Sequence, residues 1–330
     1  MRKTLALAML AALAGSAAIA GGPTVPELLP LVPQKAQVVV ALDAAALRSH
    51  PLVQGWLLDH AGWRSSNGDA ARFLAEAGLD PVRDVTAMVV AFASSDSHGE
   101  PVAFFAGRFD QAALATALTA RGATPVALGS VPSFRLPKQD SCGGSMVVAQ
   151  PSPELIVVGS EALVGESLGA RSGRNALLDS ALGNGQVDPR APFWAVAAVP
   201  AELRRRAAGA ASGTQGDAPE PLRDALIASG VVQSVALQAT LDDALGLSGV
   251  ATADTAENAE LLRDAVKGAL AAVRLRFQDT SPELVGVLRD VQVRAAGSQV
   301  TFSGAIPVAL LEKLVADHRN SHSLDKPAHS

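Results

Sequence analysis

The chain has 330 residues, 48% of them apolar, and a formal net charge of −5 from 27 basic and 32 acidic side chains. That balance, with no basic stripe, argues against nucleic acid as a partner. A single cysteine, Cys142, excludes an internal disulfide, so stability must come from burial, which a chain of this length can supply.

In chain order, Met1-Arg2-Lys3, an apolar run from Leu5 to Ala14 and Ala18-Ile19-Ala20 have the form of a secretory signal peptide. The run is short and Ala-rich for a membrane anchor. Gly21 stands where a bacterial lipoprotein would need Cys. Cleavage after Ala20 removes Arg2 and Lys3 and leaves 25 basic against 32 acidic residues, a net −7. The expected product is periplasmic or secreted and not an integral membrane protein.

Residues 21–35 are Pro-rich and expected to be extended. Val38–Leu42 reads as a strand, with helix from Ala44 onward interrupted before Pro51. A helix is expected around Ala71–Ala77. Val85–Ala93 is β-branched, small and aromatic without interior Gly or Pro, as suits a strand buried on much of both faces. Ser94–Glu100 is a polar turn, and Val102–Arg108 returns antiparallel. Asp110, then Leu114, Ala117 and Leu118, then Gly122, spell the cap, apolar stripe and terminator of a short helix. A β-rich patch follows over Thr124–Pro137, then a Gly-rich loop, a hairpin over Met146–Gly159 and helices near Glu161–Leu168 and Asn175–Leu182.

Gly183–Pro192 is the expected boundary, and Phe193–Val199 opens the second half as a strand. Ala207–Pro221 is read as a surface loop and Leu222–Ala228 as helical. The hairpin–helix grammar then returns. Val235, Leu237 and Leu241 alternate with polar residues as in a half-buried strand, Leu245–Ala253 returns, and Asp254 is expected to cap a helix with the stripe Leu262, Val266, Ala269 and Val273. A helix near Pro282–Asp290, a hairpin over Val291–Gly304 and a last helix begun by Pro307 complete the series. Val85 maps near Val231, Asp110 onto Asp254 and Gly159 near Gly304, an offset of about 145 residues.

The expected fold is therefore α+β, with antiparallel sheets whose helices pack on one face and two structurally related halves from tandem duplication. The halves are residues 21–185 and 186–317, between a signal peptide at 1–20 and a flexible polar tail at 318–330. Gly78-Leu79-Asp80-Pro81-Val82-Arg83-Asp84 and Gly107-Arg108-Phe109-Asp110, with Pro33 and Val38–Asp43, carry a similarity. Over residues 31–168 the chain resembles a group of uncharacterised exported bacterial proteins, a resemblance that implies no functional residue.

Candidate chemistry is sparse. Cys142 lies in a Gly-rich loop, where an exposed thiolate could react; an incidental loop cysteine is the plainer reading. His318 and His322 are at helix spacing, with Asp317, Asp325 and His329 nearby, which suits a metal, but a polar tail lacks the packing that orients ligands. Trp63, beside Gly62 and Arg64, could stack a ligand, whereas Trp56 is in phase with Leu52 and belongs to a core. Arg204-Arg205-Arg206 reads as a solvated helix end. Gly183-Asn184-Gly185 lacks the third glycine of a phosphate loop. No nucleophile elbow is expected and no His-Glu-x-x-His occurs; Ser323 and Lys326 match a Ser-x-x-Lys pattern only in the tail. Gly107–Asp110 reads as strand end, edge charge and helix cap, or else as an exposed Arg-Asp recognition tip. No catalytic, cofactor-binding or metal residue is assigned and no cofactor is expected. The expected function is a non-catalytic exported binding or assembly module of the bacterial cell envelope, its partner an envelope protein or ligand of unknown identity. A periplasmic carrier or chaperone for apolar ligands is the alternative, and an unrecognised hydrolase the third.

Overall fold

The structure, a computed structural model, describes residues 22–59, 69–93, 100–137, 145–169, 174–202, 204–205 and 230–313. Residues 1–20, expected to be a signal peptide, Trp63, Cys142, residues 207–228 and the tail histidines lie outside the described residues, as does the side chain of Trp56. Two units emerge, residues 1–197 and 198–330. The division falls after the expected boundary, because strand Phe193–Ala198 hydrogen-bonds along Val38–Leu42 and so joins the first unit.

In the first unit the Pro-rich opening is not extended. Val25–Leu28 is a helical turn (α1), followed by a 3-10 turn over Leu29–Leu31. Thr24 and Glu27 explain it: the Glu27 carboxylate accepts the Thr24 N–H at 2.7 Å and its hydroxyl at 2.8 Å, holding the first turn, while Val25 and Leu28 are buried. The remaining elements are β1 (Ala36–Asp43), α2 (Ala44–Arg48), α3 (Pro51–Asp59), α4 (Asp69–Glu76), α5 (Pro81–Asp84), β2 (Val85–Ala93), β3 (Glu100–Gly107), α6 (Gln111–Ala120), β4 (Thr124–Leu128), β5 (Val131–Arg135), β6 (Met146–Ser152), β7 (Leu155–Ser160), α7 (Glu161–Leu168), α8 (Ala176–Gly183) and β8 (Phe193–Ala198). The strand order is β8-β1-β2-β3-β7-β6-β5-β4, and every pair whose register is resolved is antiparallel.

The expectation of helices on one face fails here. Register places Trp194, Ala41, Val89, Phe104, Val157 and Ala149 in one row, and all are buried. α1, α7 and α8 touch these strands and bury Leu28, Val164 and Leu178. The rows on either side of it, Phe105 with Ile156 and Val158 with Val148 and Phe134, face the opposite way. They pack with Leu114 and Leu118 of α6 and Phe73 of α4. Strands apolar on both faces need cover on both.

The second unit has β9 (Val232–Leu241), β10 (Ala244–Ala253), α9 (Ala256–Phe277), α10 (Pro282–Asp290), β11 (Gln292–Ala296) and β12 (Gln299–Pro307), with residues 308–313 helical. Its antiparallel order is β11-β12-β10-β9. Here one face packs on α9: Val235, Ala251, Val300, Ala295 and Phe302 meet Ala259, Leu262, Val266 and Leu270. Thr255 rather than Asp254 caps α9, its hydroxyl accepting the Asn258 N–H at 3.1 Å; Asp254 instead accepts the Asn258 side-chain amide at 2.7 Å.

Both units run hairpin, helix, hairpin, with the second hairpin's later strand against the first hairpin's later strand. The orders β2-β3-β7-β6 and β9-β10-β12-β11 correspond. They differ between the hairpins, where the first unit has β4 and β5 and the second has α10.

Candidate functional site

The two motifs that stand out in the sequence come together, and their residues build a corner of the first unit. Asp80 caps α5, accepting from Val82 N at 3.1 Å. Asp84, at the end of that turn, accepts the Asp80 N–H at 2.8 Å and the Arg83 guanidinium at 2.6 Å, which raises the Arg83 pKa through that hydrogen bond. Arg48 of α2 reaches the same corner, donating to the carbonyls of Val82 and, at 2.5 Å, Val85. Burial pushes its pKa down, while Asp43, Asp80 and Asp84 oppose that shift.

Gly107 then passes so close that a Cβ on it would lie 1.9 Å from the Asp84 carbonyl oxygen. That same oxygen accepts the Arg108 N–H at 2.9 Å, and Phe109 N donates to Pro153 O at 2.8 Å. Phe109 is buried in the α6 core, and Asp110 caps α6 through Ala112 N at 2.9 Å and Ala113 N at 3.0 Å. Each acid here accepts backbone donors and Arg48 donates to carbonyls. These are tasks of chain geometry.

Ser167 shows what motif reading missed. Gly165-Glu166-Ser167-Leu168-Gly169 matches Gly-x-Ser-x-Gly by letter. A nucleophile elbow needs its serine on a strand-to-helix turn with the hydroxyl presented outward. Ser167 instead sits in the last turn of α7, buried, its Oγ without a hydrogen-bond partner. Asn175 is another structural polar residue: its amide nitrogen lies 2.9–3.1 Å from the carbonyls of Pro33, Gln34 and Ala36, pinning α8 to the start of β1. Gly183, Asn184 and Gly185 form the C-terminal cap of α8, with Gly185 at φ 63°. Arg205 pairs with Glu202 at 2.8 Å.

Among the described residues no cluster of His, Cys, Asp and Glu is arranged to hold a metal ion, and no helix is long and apolar enough to cross a membrane.

The feature with binding character is the α9-side face of the second sheet. α9 lies over β10, β11 and β12 and α10 touches β12, while Leu237 and Leu247 on that face stay partly exposed. Leu237 and Phe302 flank Gly249 so closely that a Cβ there would lie 2.5 Å from the Phe302 ring. Beyond that row Leu247 stands opposite Ala239 and Gly304, and Leu245 opposite Leu241 and Ile306. Leu237 is 37% and Leu247 41% exposed. A contiguous apolar face left to solvent is a feature of interaction sites.

No protein-family model matches the chain, and no curated protein matches it. Among solved structures the chain is similar to TP0453 in three crystal forms, at 12% identity in each. Form I has a TM-score of 0.48 over 90% of this chain and 98% of that one. Form III has 0.49 over 88% and 97%, and form IV 0.44 over 87% and 95%.

Proposed function

We propose that the protein is a non-catalytic binding or assembly module of the bacterial cell envelope, exported to the periplasm or secreted. The open apolar end of the second sheet, Leu237 and Leu247 with Leu241, Leu245 and Ile306 beside them, is the observation that carries this reading. We read the corresponding strand orders of the two units as the trace of a tandem duplication, after which the second copy left one end of its helix-covered face open to a partner.

The test is in-cell cross-linking of the mature chain, comparing wild type with Leu237→Asp and Leu247→Asp. Both side chains are exposed enough for the fold to tolerate the change. A cross-linked envelope partner lost in both variants, with unchanged circular dichroism, is the expected result. An unchanged cross-linking pattern overturns the reading. The same surface supports the second reading, a carrier for apolar ligands, because its rows are aliphatic. Native mass spectrometry separates the two: a carrier arrives with bound lipid that Leu247→Asp loses.

A further inference from the structure

We infer that signal cleavage completes the motif-built corner of the first unit: the α-ammonium created on Gly21 binds there, donating to the buried Thr86 hydroxyl oxygen. This rests on cleavage after Ala20, the export part of the reading above, and not on the open sheet face.

Gly22 is packed into that corner. A Cβ on it would lie 2.9 Å from the Gly107 nitrogen, 3.0 Å from the Thr86 Oγ1 and 3.1 Å from the Gly107 oxygen. Gly107 itself runs against the Asp84 carbonyl, so Gly22, Thr86 of β2 and the end of β3 share one crowded point. Backbone approach this close is a task for glycine, and Gly21-Gly22 sets two in succession at the expected mature start. The Thr86 Oγ1 is buried without a hydrogen-bond partner. An orphaned buried hydroxyl carries a desolvation cost that a donor removes.

Cleavage supplies that donor. Water adds across the Ala20–Gly21 peptide bond, catalysed by a signal peptidase. Ala20 leaves with the leader as a carboxylate, and Gly21 keeps an amine that is protonated at neutral pH. Before cleavage this nitrogen is an amide with one N–H fixed in the peptide plane; afterwards it is an ammonium with three donors free to rotate. Covalent geometry confines it to within about 5 Å of the Gly22 Cα, and the Gly22 contacts put the Thr86 Oγ1 inside that reach. The Gly107 oxygen is a second acceptor at the same point. Charge favours the arrangement, because Asp43, Asp80, Asp84 and Asp110 outnumber Arg48, Arg83 and Arg108 around the corner. The precursor therefore carries the corner incomplete, and the released chain closes it.

Three chains test this, each released by a site-specific protease: one beginning at Gly21, the same chain acetylated on its α-amine, and one beginning at Ala20. The Gly21 chain should unfold at a urea midpoint about 0.5 M above both others. Beginning at Ala20 keeps the charge and moves it one residue outward, so position is separated from net charge. Thr86→Val should close the gap, lowering the Gly21 chain while leaving the acetylated chain unchanged or raising it. Thr86→Ser, which keeps the hydroxyl, should preserve the gap. Equal midpoints in the three chains, or a gap that survives Thr86→Val, overturn the proposal with its premise intact. Mass spectrometry of the protein from its native host tests the premise separately: a first residue other than Gly21 overturns the proposal at the cleavage step, whatever the midpoints.

Discussion

The two units share a strand order and differ in how much of each sheet is covered. β2 and β3 present apolar side chains alternately up and down, with Phe104 buried against one layer and Phe105 packed against the other. β9 and β10 instead set Ser234, Gln238 and Thr240 opposite Thr252, Ser248 and Gly246 on the face away from α9, with Ala236 opposite Val250 the one buried apolar position there. A sheet covered twice is a stability core. One whose helix-covered face is left incompletely covered is where binding is affordable, because ordering a partner there adds burial the unit lacks. The motif-built corner sits in the first unit and the open apolar surface in the second.

The largest test of that contrast is at the corner. Gly107→Ala drives a methyl group into the Asp84 carbonyl, and backbone cannot swing aside as a side chain can. A loss of about 4 kcal/mol or more is expected in urea unfolding, among the exceptional values for one substitution. Behaviour within about 1 kcal/mol of wild type would show that the corner yields and that the first unit is not the rigid partner.

Truncation in the two sheets sharpens the comparison. Phe104→Ala removes a fully buried ring and should cost about 3–5 kcal/mol. Leu262→Ala, under the closed end of the second sheet, should cost about 2–5 kcal/mol. Leu247→Ala, at its open end, should stay within about 0.5 kcal/mol. Equal costs at Leu262 and Leu247 would mean that the surface is not open.

Arg48→Met keeps the packing of the stem but removes the donor shared by the Val82 and Val85 carbonyls. About 1–3 kcal/mol is expected by equilibrium unfolding. The smallest effect concerns pH. Hydrogen bonds from the Thr24 N–H and hydroxyl hold the Glu27 carboxyl below its ordinary pKa. Its contribution is therefore present above the unfolded-state pKa and lost as pH falls through the lower, folded one. Glu27→Gln should be slightly less stable than wild type near neutrality, with the gap closing in acid. A gap that widens in acid would contradict this.

Local sequence determined the elements where pattern and cap agree: the helix begun by Asp110 and ended by Gly122, the helix Pro282–Asp290, and the contrast between a continuously apolar β2 and an alternating β9. These follow from short-range rules, in which a carboxylate three residues from an N–H or a period of two fixes the outcome without the rest of the chain. Local competition misled at Pro26 and Pro30, whose presence suggested an extended opening while the Thr24–Glu27 pair held a turn. What only the tertiary structure decided is long-range. The partnering of β8 with β1, the meeting of Gly107 with Asp84, the reach of Arg48 to Val82 and the second helical layer depend on residues far apart in the chain. Their approach is set by the packing of whole elements, which no short window contains. The uncovered Leu237 and Leu247 belong to that class as well. Alternation marks Leu237 as facing a core, and only the packing of whole elements leaves it and Leu247 partly exposed.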